Sequence, residues 1–393
     1  MPTFEIHLNN DYSVYIVTVN VDPAVAEGTP AATSRKYAIA VQQIVQAELS
    51  RFFHYRTTKG NVMRLISIEE HTMHPGVAAA SAARSDELLP HLADAYAPGE
   101  ELPWSPTRNL LEDLDEGRLA DMDAHGIDVQ VLSNLATQML PATGAAELVR
   151  EVNDRLAAAC RRHPDRFSAF ASLPTSAPEQ APDELRRAVE ELGFVGAMIF
   201  GRTNDEFLSA ESFDPILKTA AYLGVPIYLH PGFPARATIA DNYERGLKPV
   251  VATRLATAAW GWHSETGVHF LNIVLSGVLD RYPRLQFILG HWGEMVPWFL
   301  ARLEEGLPRT VTGLDRTITE YVKENVYYTP SGMFTSEHLR FCADILGTDR
   351  CIFSVDYPFI ANDRAQSFLD ECGLPEDVVH AIAHGNAERL LGI

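Results

Sequence analysis

The chain is short of positive charge, of cysteine and of long apolar runs. Only 32 Lys and Arg stand against 52 Asp and Glu, a formal net charge of −20. That balance argues against nucleic acid or an anionic membrane as a partner. It also means that an anionic substrate must be drawn in by a local positive centre, a metal ion or an arginine. The four cysteines (Cys160, Cys342, Cys351, Cys372) are scattered and form no CxxC pair. They read as buried thiols of a reducing, cytoplasmic compartment. No stretch of about 18 or more apolar residues occurs, so no transmembrane helix is expected. The N-terminus is acidic and polar where a secretion signal would be basic and then apolar, and no such signal is expected.

What is present is ample apolar material, 46% of 393 residues. This length suits about two domains, or one large α/β barrel with an extension. Residues 1–62 differ in character from the rest. Phe4–Leu8 and Tyr12–Val21 are β-branched and aromatic with partial alternation, as strands are. After a Pro/Ala/Thr/Ser stretch, Ile39, Val41, Ile44, Val45 and Leu49 give Arg35–Phe53 a helical period. The expectation is a small ββα appendage over 1–62 and a second unit over 63–393. Pro2, freed by removal of Met1, admits a tautomerase-like base; the plainer reading makes Met63 the start of the ancestral domain.

From Met63 onward, strand-like runs alternate with helical ones. The runs are Arg64–Glu69, Ile127–Ser133, Phe167–Leu173, Val195–Phe200, Val225–His230, Leu285–Leu289, Asn325–Thr329 and Arg350–Val355. Helical segments such as Ala145–Arg162, Pro182–Glu191 and Asp214–Leu223 lie between them, with stop signals at Pro164 and Gly224. Eightfold strand–helix alternation predicts an α/β fold, the (β/α)8 TIM barrel. The insertion Pro75–Asn109 follows the first strand, and in a barrel it lies at the catalytic face and can form a lid.

Side chains at the C-terminal ends of barrel strands converge, so donors hundreds of residues apart can meet. Glu69 and His71 alternate on strand 1 and point to one side, while Glu70 points away as a structural neighbour. His230 ends strand 5; alone, such a histidine is more often a satisfied core residue. Asp356 ends strand 8, where a carboxylate is expensive to bury without a cation. Together the four suit one divalent metal ion. His291 and Glu294 form a His-x-x-Glu turn or helix start after strand 6, where i and i+3 are neighbours. The carboxylate can fix the imidazole tautomer and raise its basicity, or the two are a capping pair. Arg302, about two helical turns on, can pair with a substrate carboxylate, or with Glu304 or Glu305 at the surface.

These pieces carry a resemblance. Joined with Arg118–Asp123, Gly126–Ser133, Arg281–Leu285, Tyr328–Gly332, Ser354–Phe359 and Gly385–Leu390, they make the chain from about Met63 to Ile393 resemble the amidohydrolase superfamily. The branch is that of aminocarboxymuconate-semialdehyde decarboxylase, with γ-resorcylate and 2,3-dihydroxybenzoate decarboxylases the nearest in pattern. The resemblance implies that Glu69, His71, His230 and Asp356 bind one Mn2+ or Zn2+. It implies that His291 and Glu294 are the adjacent acid/base pair and that Arg302 helps place the substrate. Strand 4 has no lysine for the carbamylated bridge of binuclear relatives, and strand 1 reads Glu-x-His rather than His-x-His. Two positions depart from the pattern: Thr72-Met73-His74-Pro75 follows His71 where an aromatic is usual, and Trp292 replaces a commoner Met. His74 and Trp292 are therefore expected to touch the substrate.

The implied reaction is reversible, non-oxidative decarboxylation of a hydroxylated aromatic carboxylic acid. Protonation of the ring carbon precedes loss of CO2, with Asp356 as proton donor and His291 with Glu294 recycling the proton. The chief alternative is metal-dependent hydrolysis or hydration of a lactone or dicarboxylic acid, with Asp356 as base. A non-catalytic binding scaffold is a third. The expected partner is a small aromatic acid, within a homodimer or homotetramer whose interface or pocket would use Trp260, Trp262 and Trp298.

Overall fold

The computed structural model describes residues 63–97 and 104–393. The expected appendage over 1–62, with Pro2, lies outside the described residues. Among the described residues seven strands form: β1 Ile66–Thr72, β2 Val129–Asn134, β3 Phe167–Ala169, β4 Ala197–Phe200, β5 Ile227–His230, β6 Phe287–Leu289 and β7 Val326–Tyr328. Every neighbouring pair within β1–β3 and within β4–β7 is parallel. A parallel bridge from Ala171 to Ala197 joins the two groups. The expected eighth strand is reduced to one parallel bridge, Cys351 to Tyr328, but it occupies its place. Ile352 N donates to Tyr328 O at 3.0 Å, and Ile68 N donates to Phe353 O at 3.3 Å. That last bond closes the ring between position eight and β1, as a (β/α)8 barrel requires.

Alternation along each strand sorts the apolar side chains into two layers. Ile66, Val131, Met198, Tyr228, Ile288 and Ile352 form one buried cluster inside the ring. Leu132, Ile199, Leu229, Phe287, Val326 and Phe353 point outward into a second, against the helices. Each such side chain contributes about 1.5–3 kcal/mol when fully buried. The inner layer makes the barrel a packed core, not a channel.

Strand β1 breaks the simple alternation. Its pairing with β2 steps from Ser67–Gln130 to Glu70–Leu132, so Ile68 and Glu69 share the space opposite Val131. This β-bulge changes which parity faces in. Ile66 and Ile68 point inward below it, and Glu69 and His71 point inward above it. In an unbulged pairing of the same sequence Glu70 would face the interior instead.

Helix α1 (Pro75–Leu88) and the segment Trp104–Pro106 come from the insertion after β1 and border the cavity described below. Helix α2 (Ala145–Arg162) buries Val149, Val152, Leu156 and Ala159, the period its sequence predicts. Helix α3 (Asp214–Leu223) ends at Gly224, whose φ of +70° supplies the left-handed cap that the glycine predicts. Two later helices carry residues of interest: α4 (Gly261–Leu275) and α5 (Val296–Gly306). Among the described residues no helix is long and apolar enough to cross a membrane. The four cysteines are free.

Candidate metal centre and active site

Glu69, His71, His230 and Asp356 converge at the C-terminal end of the ring. Each offers a donor atom within 4.8 Å of the others. His71 Nε2 stands 2.9 Å from Asp356 Oδ1, and His230 Nε2 stands 3.3 Å from Glu69 Oε1. Yet Glu69 Oε1, His71 Nε2 and His230 Nε2 are buried with no hydrogen bond at all. Leaving one such atom unpaired costs about 1–3 kcal/mol, and three in one place point to an ion between them. Two imidazoles and two carboxylates suit Mn2+ or Zn2+.

The remaining atoms of these side chains are tied down. His230 Nδ1 donates to Pro231 O at 2.9 Å, and His71 Nδ1 lies 2.9 Å from Ser133 Oγ. Each contact turns the Nε2 lone pair toward the cluster. Glu69 Oε2 accepts from Tyr228 OH at 2.5 Å, from Ser354 Oγ at 3.2 Å and from Ser331 Oγ. Oε1 is thereby left for the ion. Gly290 makes the room: a Cβ there would lie 2.7 Å from Ser331 Oγ, 2.9 Å from Tyr228 OH and 3.1 Å from Glu69 Oε1. Burial pushes the Glu69 carboxyl up, but the close approach of His230 and the charge of His291 bring it below its ordinary value. Asp356 is likewise raised by burial and lowered more by His291 and His71, to about 2.

Asp356 sits at φ +71°, a conformation that costs a non-glycine residue energy. Glu70 braces it from behind. The amides on either side, Val355 N and Tyr357 N, donate to the Glu70 carboxyl at 3.2 and 3.3 Å. Gln130, and Ser67 through its hydroxyl, complete the shell. Burial raises Glu70 to about 8, against the pull of these donors and of Arg118. Arg118 is itself fully buried and donates to His71 O at 2.7 Å. Glu70 is thus the structural neighbour that its position on β1 predicts, and it holds the loop that carries Asp356.

After β6 the chain makes a left-handed turn. His291, Trp292, Gly293, Glu294 and Met295 have φ of +46°, +61°, +82°, +50° and +68°. Each non-glycine residue there costs roughly 1–2 kcal/mol. External bonds offset this: Trp292 N donates to Thr329 O at 2.8 Å and His291 N to Ser331 Oγ at 2.9 Å. The turn brings His291 Nδ1 to 2.8 Å from Glu294 Oε1. The i, i+3 pairing inferred from sequence is present, but on a helix turn of the opposite hand. His291 Nε2 points at Asp356 Oδ2, 3.8 Å away.

A residue that the sequence did not single out joins the pair. His263, on α4, places Nδ1 2.9 Å from the second Glu294 oxygen, with its ring centroid 4.3 Å from that of His291. Burial would raise Glu294, but the charges of His291 and His263 hold it below the ordinary carboxylate range. Burial would lower His291, but Glu294 and Asp356 outweigh that and hold it well above the ordinary histidine value. These surroundings favour the imidazolium form of His291 and the carboxylate form of Asp356.

Three expected substrate contacts are placed differently. Arg302 lies on the outer face of α5, 80% exposed, paired with Glu305 at 2.7 Å. The turn ends at Met295 and α5 starts a new axis, so Arg302 does not share a face with Glu294; this corrects the expectation. His74 caps α1, its Nδ1 accepting from Gly76 N at 3.1 Å. The neighbouring Met73, not His74, lines the cavity. Trp292 borders the cavity, but its indole is buried among Tyr328 and Phe368 and donates to Met333 O at 2.8 Å. It anchors the turn.

The cavity over this cluster has a volume of about 1200 Å3, with His230, His291, Glu294 and Asp356 among its lining. The amidohydrolase family pattern matches residues 90–393. Decarboxylase orsB of Emericella nidulans is 37% identical over 291 residues, 72% of this chain and 87% of that protein. Gamma-resorcylate decarboxylase of Polaromonas sp. is 35% identical over 302 residues, 73% of this chain and 90% of that protein. A crystal structure of 5-carboxyvanillate decarboxylase from Novosphingobium aromaticivorans, complexed with manganese and 4-hydroxy-3-methoxy-5-nitrobenzoic acid, is similar with TM-score 0.76 and 30% identity. That likeness covers 84% of this chain and 96% of the other. With a closed parallel ring, converging donors at its C-terminal end and matches over most of its length, the chain belongs to the amidohydrolase family.

Proposed function

We propose that the protein is a divalent-metal-dependent, non-oxidative decarboxylase of a hydroxylated aromatic carboxylic acid. The observation that carries this reading is the set of three buried, unpartnered donor atoms beside a hydrogen-bonded His291–Glu294–His263 chain. Two similar proteins are decarboxylases by name, and the similar crystal structure holds manganese with a hydroxylated nitrobenzoic acid.

Glu69, His71, His230 and Asp356 would hold the ion, which would supply a positive centre for the substrate's carboxylate. The chain's own residues then manage the proton. Direct loss of CO2 would leave an aryl carbanion, so the ring carbon bearing the carboxylate is protonated first. Asp356 is the candidate donor. Its resting form is the carboxylate, so it takes the proton from His291 Nε2 and passes it to the ring carbon. The C–C bond pair then returns to the ring as CO2 leaves, and aromaticity is restored. Glu294 stabilises the His291 imidazolium before transfer, and His263 holds Glu294 in place. Each step is reversible, so carboxylation at high bicarbonate is expected. The protein is proposed to act in a reducing compartment as a homodimer or homotetramer, which light scattering would measure.

The test is metal analysis followed by a CO2-release screen of hydroxybenzoates with Mn2+ and with Zn2+. Asp356→Asn should abolish turnover while some metal is retained. Full activity in that variant, or lactone opening with no CO2 from any acid, would overturn the reading.

A further inference from the structure

The cavity is far larger than the ring that its floor can use. We infer that the acid carries a bulky apolar substituent, an alkyl chain or a second ring, on the edge away from its reacting carboxylate, and carries no second carboxylate. This rests on the decarboxylase reading above. A benzene ring is held in a cavity of about 150 Å3, and small-molecule sites run from roughly 300 to 1000 Å3. Here the volume is about 1200 Å3. A simple hydroxybenzoate would leave most of it unfilled.

The surplus space is apolar and leads outward. Beyond the metal-binding floor the wall includes Phe233, Trp262 and Phe341. Phe233 and Trp262 stack at 6.3 Å with 18° between their planes, and Phe341 packs against Trp298 at 4.9 Å. Trp260, Trp298 and Phe299 continue the lining toward the mouth, and they are 50%, 69% and 50% exposed. Three large aromatics open to water are unusual on a protein surface unless they bind something. Here they extend a cavity that begins at the reacting group, so the substituent of a substrate seated there would cover them.

Charge excludes a diacid. Among the described residues that line the cavity there is no lysine and no arginine. The one cationic group at the floor, His291, is already paired with Glu294 and faces Asp356, and the chain as a whole carries −20. A second carboxylate would lose its water with no unpaired cation to replace it.

The test uses the full-length, Mn2+-loaded protein. CO2 release is measured with 2,6-dihydroxybenzoate, its 4-methyl, 4-propyl and 4-pentyl homologues, and the diacid 2-hydroxyterephthalate. Equilibrium binding of the same acids is followed by tryptophan fluorescence. Burial of each methylene should raise kcat/KM about 2–4-fold, or on the order of 50-fold from methyl to pentyl. The diacid should fall at least 100-fold below the methyl homologue. Trp298→Ser should reduce the pentyl-to-methyl ratio at least threefold. A gradient that is flat or falls with chain length, or a diacid used as well as the parent acid, overturns the inference. If CO2 is released without a chain-length gradient, the decarboxylase reading stands and this inference fails. If no acid releases CO2 but binding still tightens with chain length, the decarboxylase reading fails and the apolar site stands.

Discussion

Replacing Gly290 by alanine would put a methyl group at the base of the metal cradle. The new Cβ would lie 2.7, 2.9 and 3.1 Å from Ser331 Oγ, Tyr228 OH and Glu69 Oε1, where ordinary contact begins at 3.4 Å. Each neighbour would have to retreat by about 0.3–0.7 Å. Two of them are the hydroxyls that fix Glu69 Oε2, and the third is the oxygen offered to the ion. Overpacking of this kind costs about 1–3 kcal/mol. Metal–donor distances tolerate only about ±0.2 Å, so the larger effect falls on binding. Loss of supporting contacts around ligands typically costs about 10–100-fold in affinity, and that is the range expected here. The assay is competition for Mn2+ between chelator and dialysed protein, with melting temperatures in the apo and loaded states. Gly306→Ala is the control, because a Cβ there meets nothing within 4 Å. It should leave metal affinity unchanged. Wild-type affinity in Gly290→Ala would refute the reasoning, since it would mean that Glu69 Oε1 is not held against the ion by this shell.

Arg302→Ala should change kcat/KM by less than about twofold, because exposed ion pairs of this kind contribute roughly 0–1 kcal/mol and the side chain faces solvent beside Glu305; a loss of a hundredfold in steady-state assays would return Arg302 to the substrate. Glu70 keeps its proton up to about pH 8, whereas a free glutamate loses it near 4.5. The folded state therefore binds more protons between those values, and stability should decline as pH rises from about 4.5 to 8 and level off above. Glu70→Gln should flatten that limb in melting temperatures measured across pH; an unchanged slope would assign it to other groups. His263→Gln removes one of the two histidines that hold Glu294 ionised. It should lower kcat more than it raises KM and move the acid limb of the pH–rate profile upward; an unaltered profile would show that Glu294 is set by His291 alone.

The ring and its four converging donors were legible because strands at their C-terminal ends aim successive side chains by simple parity. Tyr228 was open to the same logic, two residues before His230 on the same face, and its hydroxyl indeed reaches Glu69. Arg302 was misplaced because the sequence suggests one unbroken right-handed helix from Glu294 onward. A left-handed turn ending at Met295 intervenes, and no local residue pattern announces five successive residues at positive φ when only one of them is glycine. His263 left no signal either: it lies on a separate helix, and only packing brings that helix over the turn. Strand eight was long in apolar sequence and short in ladder bonds, because Glu70 takes the amides of Val355 and Tyr357 that a longer ladder would have used.

The bulge in β1 works like a reading frame. Three consecutive polar residues, Glu69, Glu70 and His71, are divided between two environments by the single extra residue opposite Val131. Were β1 paired without the bulge from Ile66 onward, Glu70 would be presented to the ion in place of Glu69, His71 would turn outward, and the amides around Asp356 would lose their acceptor. A change of register that leaves every residue of the sequence in place would thus erase the centre.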